Sequence, residues 1–201
     1  MELFKNKYRI KSHRLKNWNY TNSGAYFITI CTKNKEQYFG KIINKKMTLN
    51  EIGKIADNYW QEIPKHFKNV KLDKYVVMPN HVHGILMIDK NGCNDVCKHV
   101  ACENKCKYIA CRDVALQRLY VGKNPNMSKI SPKKHSISSI IRSYKSICTK
   151  MINKIPNEIS FTWQPRFHDH IIRNKNELNR IRQYIINNPV KWERDRNYVK
   201  N

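Results

Sequence analysis

The 201-residue sequence has no uninterrupted apolar run of about 18 residues or more, the length a membrane-crossing helix requires. Its first residues, "MELFKNKYRIKSHR", also lack the apolar centre of an export signal, so a cytoplasmic protein with no membrane attachment is expected. Acidic residues are scarce: 15 Asp and Glu face 39 Lys and Arg, for a net charge of +24. That excess goes beyond what solubility asks of a small domain and points to a polyanionic partner. An anionic lipid surface fits the sign of the field. The basic residues, however, are spread along the chain and interleaved with Tyr, Phe and Trp, which suits phosphates and stacked bases. A solvated Lys- and Asn-rich surface is the plainer alternative.

The seven cysteines lack the paired C-x-x-C spacing of strong zinc signatures. Cys93, Cys97, Cys102, Cys106 and Cys111 are separated by three and four residues, inside the imperfect repeat "CKHVACENKC" and "CKYIACRDVA". With no export signal, reduced thiols are expected in place of disulfides.

Periodicity divides the rest. "GAYFITICT" reads as a strand, "KKMTL" as a short one, and Asn50 as the cap of a helix carrying Ile52, Ile55, Ala56, Tyr59 and Trp60 until Pro64 ends it. "VKLDKYVVM" and "HVHGILMI", joined by Pro79-Asn80, predict a hairpin. From about 89 to 134 the pattern breaks down, and the segment is read as a flexible Cys- and Lys-rich insertion in a single domain spanning 1–201. Ser136 then caps a helix with Ile137, Ile140, Ile141, Tyr144, Ile147, Cys148 and Met151 on its apolar side. A last strand is expected near Phe167 to Ile172, followed by a helix from Asn174 or Lys175 to Pro189. Few antiparallel strands with helices packed on them make an α+β fold.

The chemistry centres on "VVMPNHVHGILMI". Alternate strand residues share a face, so His81 and His83 point one way and Val82 the other. Two neighbouring cationic imidazoles would repel, which favours neutral, metal-binding forms. An H-x-H pair equally fits one core and one surface histidine, so a third group is needed. Tyr184 and Asn188, one helical turn apart, supply a candidate. Boundary packing and a helix terminus are the ordinary roles of such residues.

Four segments, "GAYFITICTKNKEQYFG", "LDKYVVMPNHVHGILMI", "SISSIIRSYKS" and "FTWQPRFHDHIIRNKNELNRIRQYIINNPVKW", resemble in order the REP-associated tyrosine transposases, a branch of the HUH single-strand endonucleases. The resemblance implies a ferredoxin-like sandwich with the histidines on a central strand. It assigns His81, His83 and Asn188 as ligands of a divalent metal, Mg²⁺ or Mn²⁺, and Tyr184 as nucleophile. Related transposases often carry Gln at the last ligand position, one methylene longer than Asn188.

The implied partner is single-stranded DNA, in particular repeated hairpins, cut and rejoined through a 5′-phosphotyrosine, with monomer and homodimer both open. Arg14, Lys16 and Trp18 would then flank the hairpin. Arg142 and Lys145 are candidates for phosphate contacts, and Trp163, Gln164, Arg166 and Phe167 for stacking and backbone contacts. His168, Asp169 and His170 are candidates for groups behind the metal ligands. Tyr144 is a weaker rival nucleophile because no amide lies one turn after it. The reading from another class is a nucleic-acid-binding protein without catalysis, descended from such an enzyme.

Overall fold

In the computed structural model the described residues are 18–89, 132–156 and 160–199. The expected insertion, its cysteines, and Arg14 and Lys16 therefore fall outside them, apart from the insertion's margins.

Among the described residues six strands form, β1 (Gly24–Cys31), β2 (Gly40–Ile43), β3 (Lys46–Leu49), β4 (Val70–Met78), β5 (His81–Ile88) and β6 (His168–Ile172). The helices are α1 (Glu51–Gln61), α2 (Ile63–His66), α3 (Ile137–Ile152) and α4 (Lys175–Asn187). Strands β4-β5-β1-β6, in that order, make an antiparallel sheet, while β2 and β3 pair separately. Among the sheet strands and the helices α1 and α3, the chain order is β-α-β-β-α-β, the α+β sandwich expected from the sequence. The caps Asn50 and Ser136 are as read, and Asn174, expected only as a possible helix start, caps α4; each accepts the backbone N–H three residues on.

Two elements differ from expectation. Pro64 does not end the first helix; α1 stops at Gln61 and Pro64 sits in the opening turn of α2, where its missing N–H costs nothing. "GKII", not read as a strand, pairs with β3 because Asn44 and Lys45 both take positive φ, 49° and 61°, as a two-residue hairpin loop requires.

Alternation along β1 and β5 builds two faces. Tyr26, Ile28, Ile30, Val82 and Leu86 join Ala56 and Trp60 of α1 and Ile140, Ile141 and Tyr144 of α3 in the main core. Phe27, Val76 and Ile85 point to the opposite face, where Leu178, Ile181 and Ile185 of α4 cover them. Arg182 on α4 reinforces that docking by donating to Asp73 at 2.7 Å, within the irregularity of β4 between Leu72 and Tyr75. Both histidines share parity with Ile85, so the sheet puts them on the α4 face.

Gly84 is held glycine by the main core: a Cβ there would lie 2.2 Å from Cζ2 of Trp60. Trp60 is fully buried, so it has nowhere to go. Gly84→Ala is expected to cost about 1–3 kcal/mol in urea unfolding, as overpacking does. Wild-type stability in that variant would contradict the packing described.

Candidate metal and tyrosine site

Both histidines are buried, His81 fully, with ring centroids 4.3 Å apart. Each is fixed through Nδ1: His81 lies 2.7 Å from Asn80 Oδ1, and His83 2.8 Å from Thr29 Oγ1, its cross-strand neighbour. Phe27 stacks on His83 at 5.3 Å, and Trp192 covers His81. The Nε2 atoms are left for the site.

Helix α4 brings Tyr184 to the same place. Its ring meets Phe27 and His83 edge-on, and its hydroxyl lies 3.2 Å from His83 Nε2. The residue is 43 % exposed, so the phenol borders both the site and solvent. Asn188, the residue following α4, is buried, and its amide nitrogen donates to Asp195 at 2.8 Å.

Asp195 was not singled out from the sequence, where "WERDRNY" carries no motif. After Pro189 the chain turns back over the histidines, and Asp195 Oδ2 accepts from Tyr184 at 3.1 Å while lying 3.9 Å from His83 Nε2. One ligand atom each from His81, His83 and Asp195 all lie within 4.8 Å of one another. Two buried atoms beside them have no protein partner, His81 Nε2 and Asn188 Oδ1. Unpaired buried acceptors are costly. Neutral imidazole nitrogens, a carboxylate and an orphaned amide oxygen form a donor set that fits a divalent cation.

The electrostatics agree. Burial pushes both imidazoles down from 6.5, His81 further because His83 adds to it, while Asp195 partly opposes the shift of His83. Burial would raise the Asp195 carboxyl, but the nearby His83 imidazole and hydrogen bonds from the Asn197 N–H and the Asn188 amide override it and hold the group well below the carboxylate range. Tyr184 is pushed far up by burial and then by Asp195, so the phenol rests protonated.

With folded histidine values below the unfolded 6.5, the unfolded chain binds more protons in that window. Metal-free protein is therefore expected to lose stability as pH falls below about 6.5, down to the folded values. Thermal melts in chelator between about pH 7 and pH 5 read this directly; a flat or rising melting temperature would contradict it.

The other sequence candidates are dispersed. Trp163 was expected to offer a stacking face, but it is buried in an aromatic cluster with Phe39, Tyr144 and Phe161. Phe167 packs partly buried against the same core. The Lys145 ammonium is half-buried and donates to the Gln164 carbonyl, so it tethers α3 to that segment instead of projecting to a phosphate. Arg142 and Arg166 are exposed, and Trp18 is half-exposed with its indole donating to the Tyr26 hydroxyl. His168 lies opposite Thr29 on the histidine face, and His170 pairs with Glu177 at 2.8 Å. The Tyr144 hydroxyl donates to the Ala56 carbonyl inside the core, which removes it as a rival nucleophile.

Fold and site together define an α+β protein with a His-His-Asp cluster competent for a metal, beside a tyrosine. No protein-family model matches the chain. It is 39 % identical over 192 residues to an uncharacterized protein of Haemophilus influenzae, covering 94 % of this chain and 93 % of that one, and it belongs to that protein's family. It is also similar to a solved structure of a REP-associated tyrosine transposase bound to a REP hairpin, with a TM-score of 0.53 and 17 % identity over 90 % of this chain and 74 % of the other. That likeness is one of fold. No helix among the described residues is long and apolar enough to cross a membrane.

Proposed function

We propose that this protein is a metal-dependent single-stranded DNA endonuclease and strand transferase of the tyrosine-transposase type, acting on hairpin-forming DNA. The carrying observation is convergence: a tyrosine hydroxyl 3.2 Å from one of two paired buried histidines, with a carboxylate joining them from a distant segment. His81, His83 and Asp195 would hold the cation, with the orphaned Asn188 oxygen available beside them. Mg²⁺ and Mn²⁺ both suit such a set, Mn²⁺ tolerating nitrogen donors better. Bound there, the metal would polarise a phosphodiester and steady charge on the departing oxygen.

The chain's own groups do the rest. Tyr184 Oη, its proton given up to water, attacks phosphorus; the bond to the 3′ oxygen breaks, and that oxygen takes up a proton, leaving a 5′-phosphotyrosine and a free 3′-hydroxyl. Another 3′-hydroxyl can reverse the step on a second strand, so no nucleotide cofactor is required. At an unperturbed pKa of about 10, forming the phenolate near neutrality costs about 4 kcal/mol. The resting arrangement makes it costlier, since Asp195 takes the phenol's hydrogen bond. Metal binding that engages Asp195 would remove that obstacle. The excess positive charge of the chain supplies the field that draws DNA in.

The test is incubation of the protein with single-stranded hairpin DNA and Mn²⁺ or Mg²⁺, followed by denaturing gels that reveal a covalent adduct. Salt-sensitive binding with no adduct on any hairpin would favour the non-catalytic alternative.

A further inference from the structure

Asn80 was legible in the sequence only as turn material, yet it is fully buried, and its side chain meets three separate parts of the molecule. Its amide nitrogen donates to the Lys35 carbonyl at 2.9 Å and to the Asn197 carbonyl at 2.8 Å. Its amide oxygen lies 2.7 Å from His81 Nδ1. Backbone carbonyls only accept, so both must receive N–H groups, and the amide cannot be turned the other way without setting its oxygen against them. The oxygen therefore faces His81. A carboxamide oxygen also only accepts, which requires the proton of neutral His81 to sit on Nδ1.

From this chain of donors and acceptors we infer that Asn80 is a positioning residue that locks His81 in its Nδ1–H tautomer and aims the Nε2 lone pair into the cluster with His83 and Asp195. An independent observation agrees: Nε2 of His81 is buried with no hydrogen-bond partner, as a lone pair reserved for a cation would be. The link to metal binding rests on the proposed function; the tautomer does not. Because Asn80 also holds the Asn197 carbonyl, two residues after Asp195, the same amide joins the histidine strand to the segment that brings in the carboxylate. Its backbone carbonyl accepts the Thr32 N–H at 2.9 Å, which ties the turn to the residue after β1.

Nitrogen NMR of the His81 imidazole in the full-length, metal-free protein decides the first part. The expected result is a pyrrole-type Nδ1 and a pyridine-type Nε2; the reverse pattern overturns the inference without any variant. Asn80→Ala removes the acceptor, and Nε2–H, the form a free histidine side chain prefers, is then expected to appear, with Mn²⁺ affinity by calorimetry falling about 10- to 100-fold. Asn80→Asp keeps an acceptor for His81 but sets its other oxygen against the Lys35 and Asn197 carbonyls, so it should retain the Nδ1–H tautomer while losing stability and loosening the segment that carries Asp195. A wild-type tautomer and affinity in Asn80→Ala would overturn the assignment. Should wild-type protein bind no Mn²⁺ while showing the expected tautomer, the proposed function fails and the lock on His81 stands.

Discussion

Tyr184→Phe is expected to abolish the covalent adduct with hairpin DNA, lowering strand cleavage by about 10³-fold or more, as removing a nucleophile does elsewhere. The substitution deletes one oxygen and keeps the ring against Phe27 and His83. Stability should therefore change by less than about 1 kcal/mol, since the lost hydroxyl sits at a solvent border and its partners, Asp195 and His83, retain other hydrogen bonds. Binding to DNA should persist for the same reason. Adduct formation and binding are read on one gel under denaturing and native conditions. An adduct of wild-type yield in the variant would remove Tyr184 from the chemistry and return the question to other nucleophiles.

Mn²⁺ is expected to raise the melting temperature of wild-type protein, and His83→Ala is expected to erase that rise. A ligand at about 100 times its Kd stabilises the native state by about 2.7 kcal/mol. For a chain of this size that corresponds to roughly 5–11 °C. Of the three proposed ligands, His83 is the one whose loss should matter most. It is the one histidine of the pair touching Tyr184, and it carries the Thr29 contact from the neighbouring strand. Removing a ligand outright should weaken Mn²⁺ binding more than the 10- to 100-fold typical of losing a supporting group. The variant will also be less stable without metal because it leaves a cavity beside Phe27, so the shift on adding Mn²⁺ is the quantity to compare. An equal shift in both proteins would place the metal elsewhere, and no shift in either would remove it from the proposed function.

Much of the frame was legible because it rests on periodicity and capping. The strand around Ile28, the caps Asn50 and Ser136, and the shared face of His81 and His83 all follow from patterns within one element. Tyr184 and Asn188 were readable by the same logic on α4. Interleaved aromatic and basic residues were less reliable. Trp163 looked like a stacking platform, but a core rim built from Phe39, Tyr144 and Phe161 has the same composition as an exposed nucleic-acid surface. Lys145 was read as a phosphate contact from its place on a polar helix face, and it instead caps a carbonyl of a segment that packs back on α3.

The sequence alone determined the α+β class, the basic field, and a histidine pair whose side chains leave β5 on the face opposite Val82. Each of these is a local or summed property of the chain. Only the tertiary structure decided that α4 covers that face, bringing Tyr184 to His83 across a separation of 101 residues. It alone placed Asp195 among the histidines and turned Asn80 from a turn residue into the buried link between them. Those placements depend on how the chain returns after Pro189 and on which carbonyls are left needing donors. Hydrogen-bond partners so far apart in sequence leave no periodic trace along it.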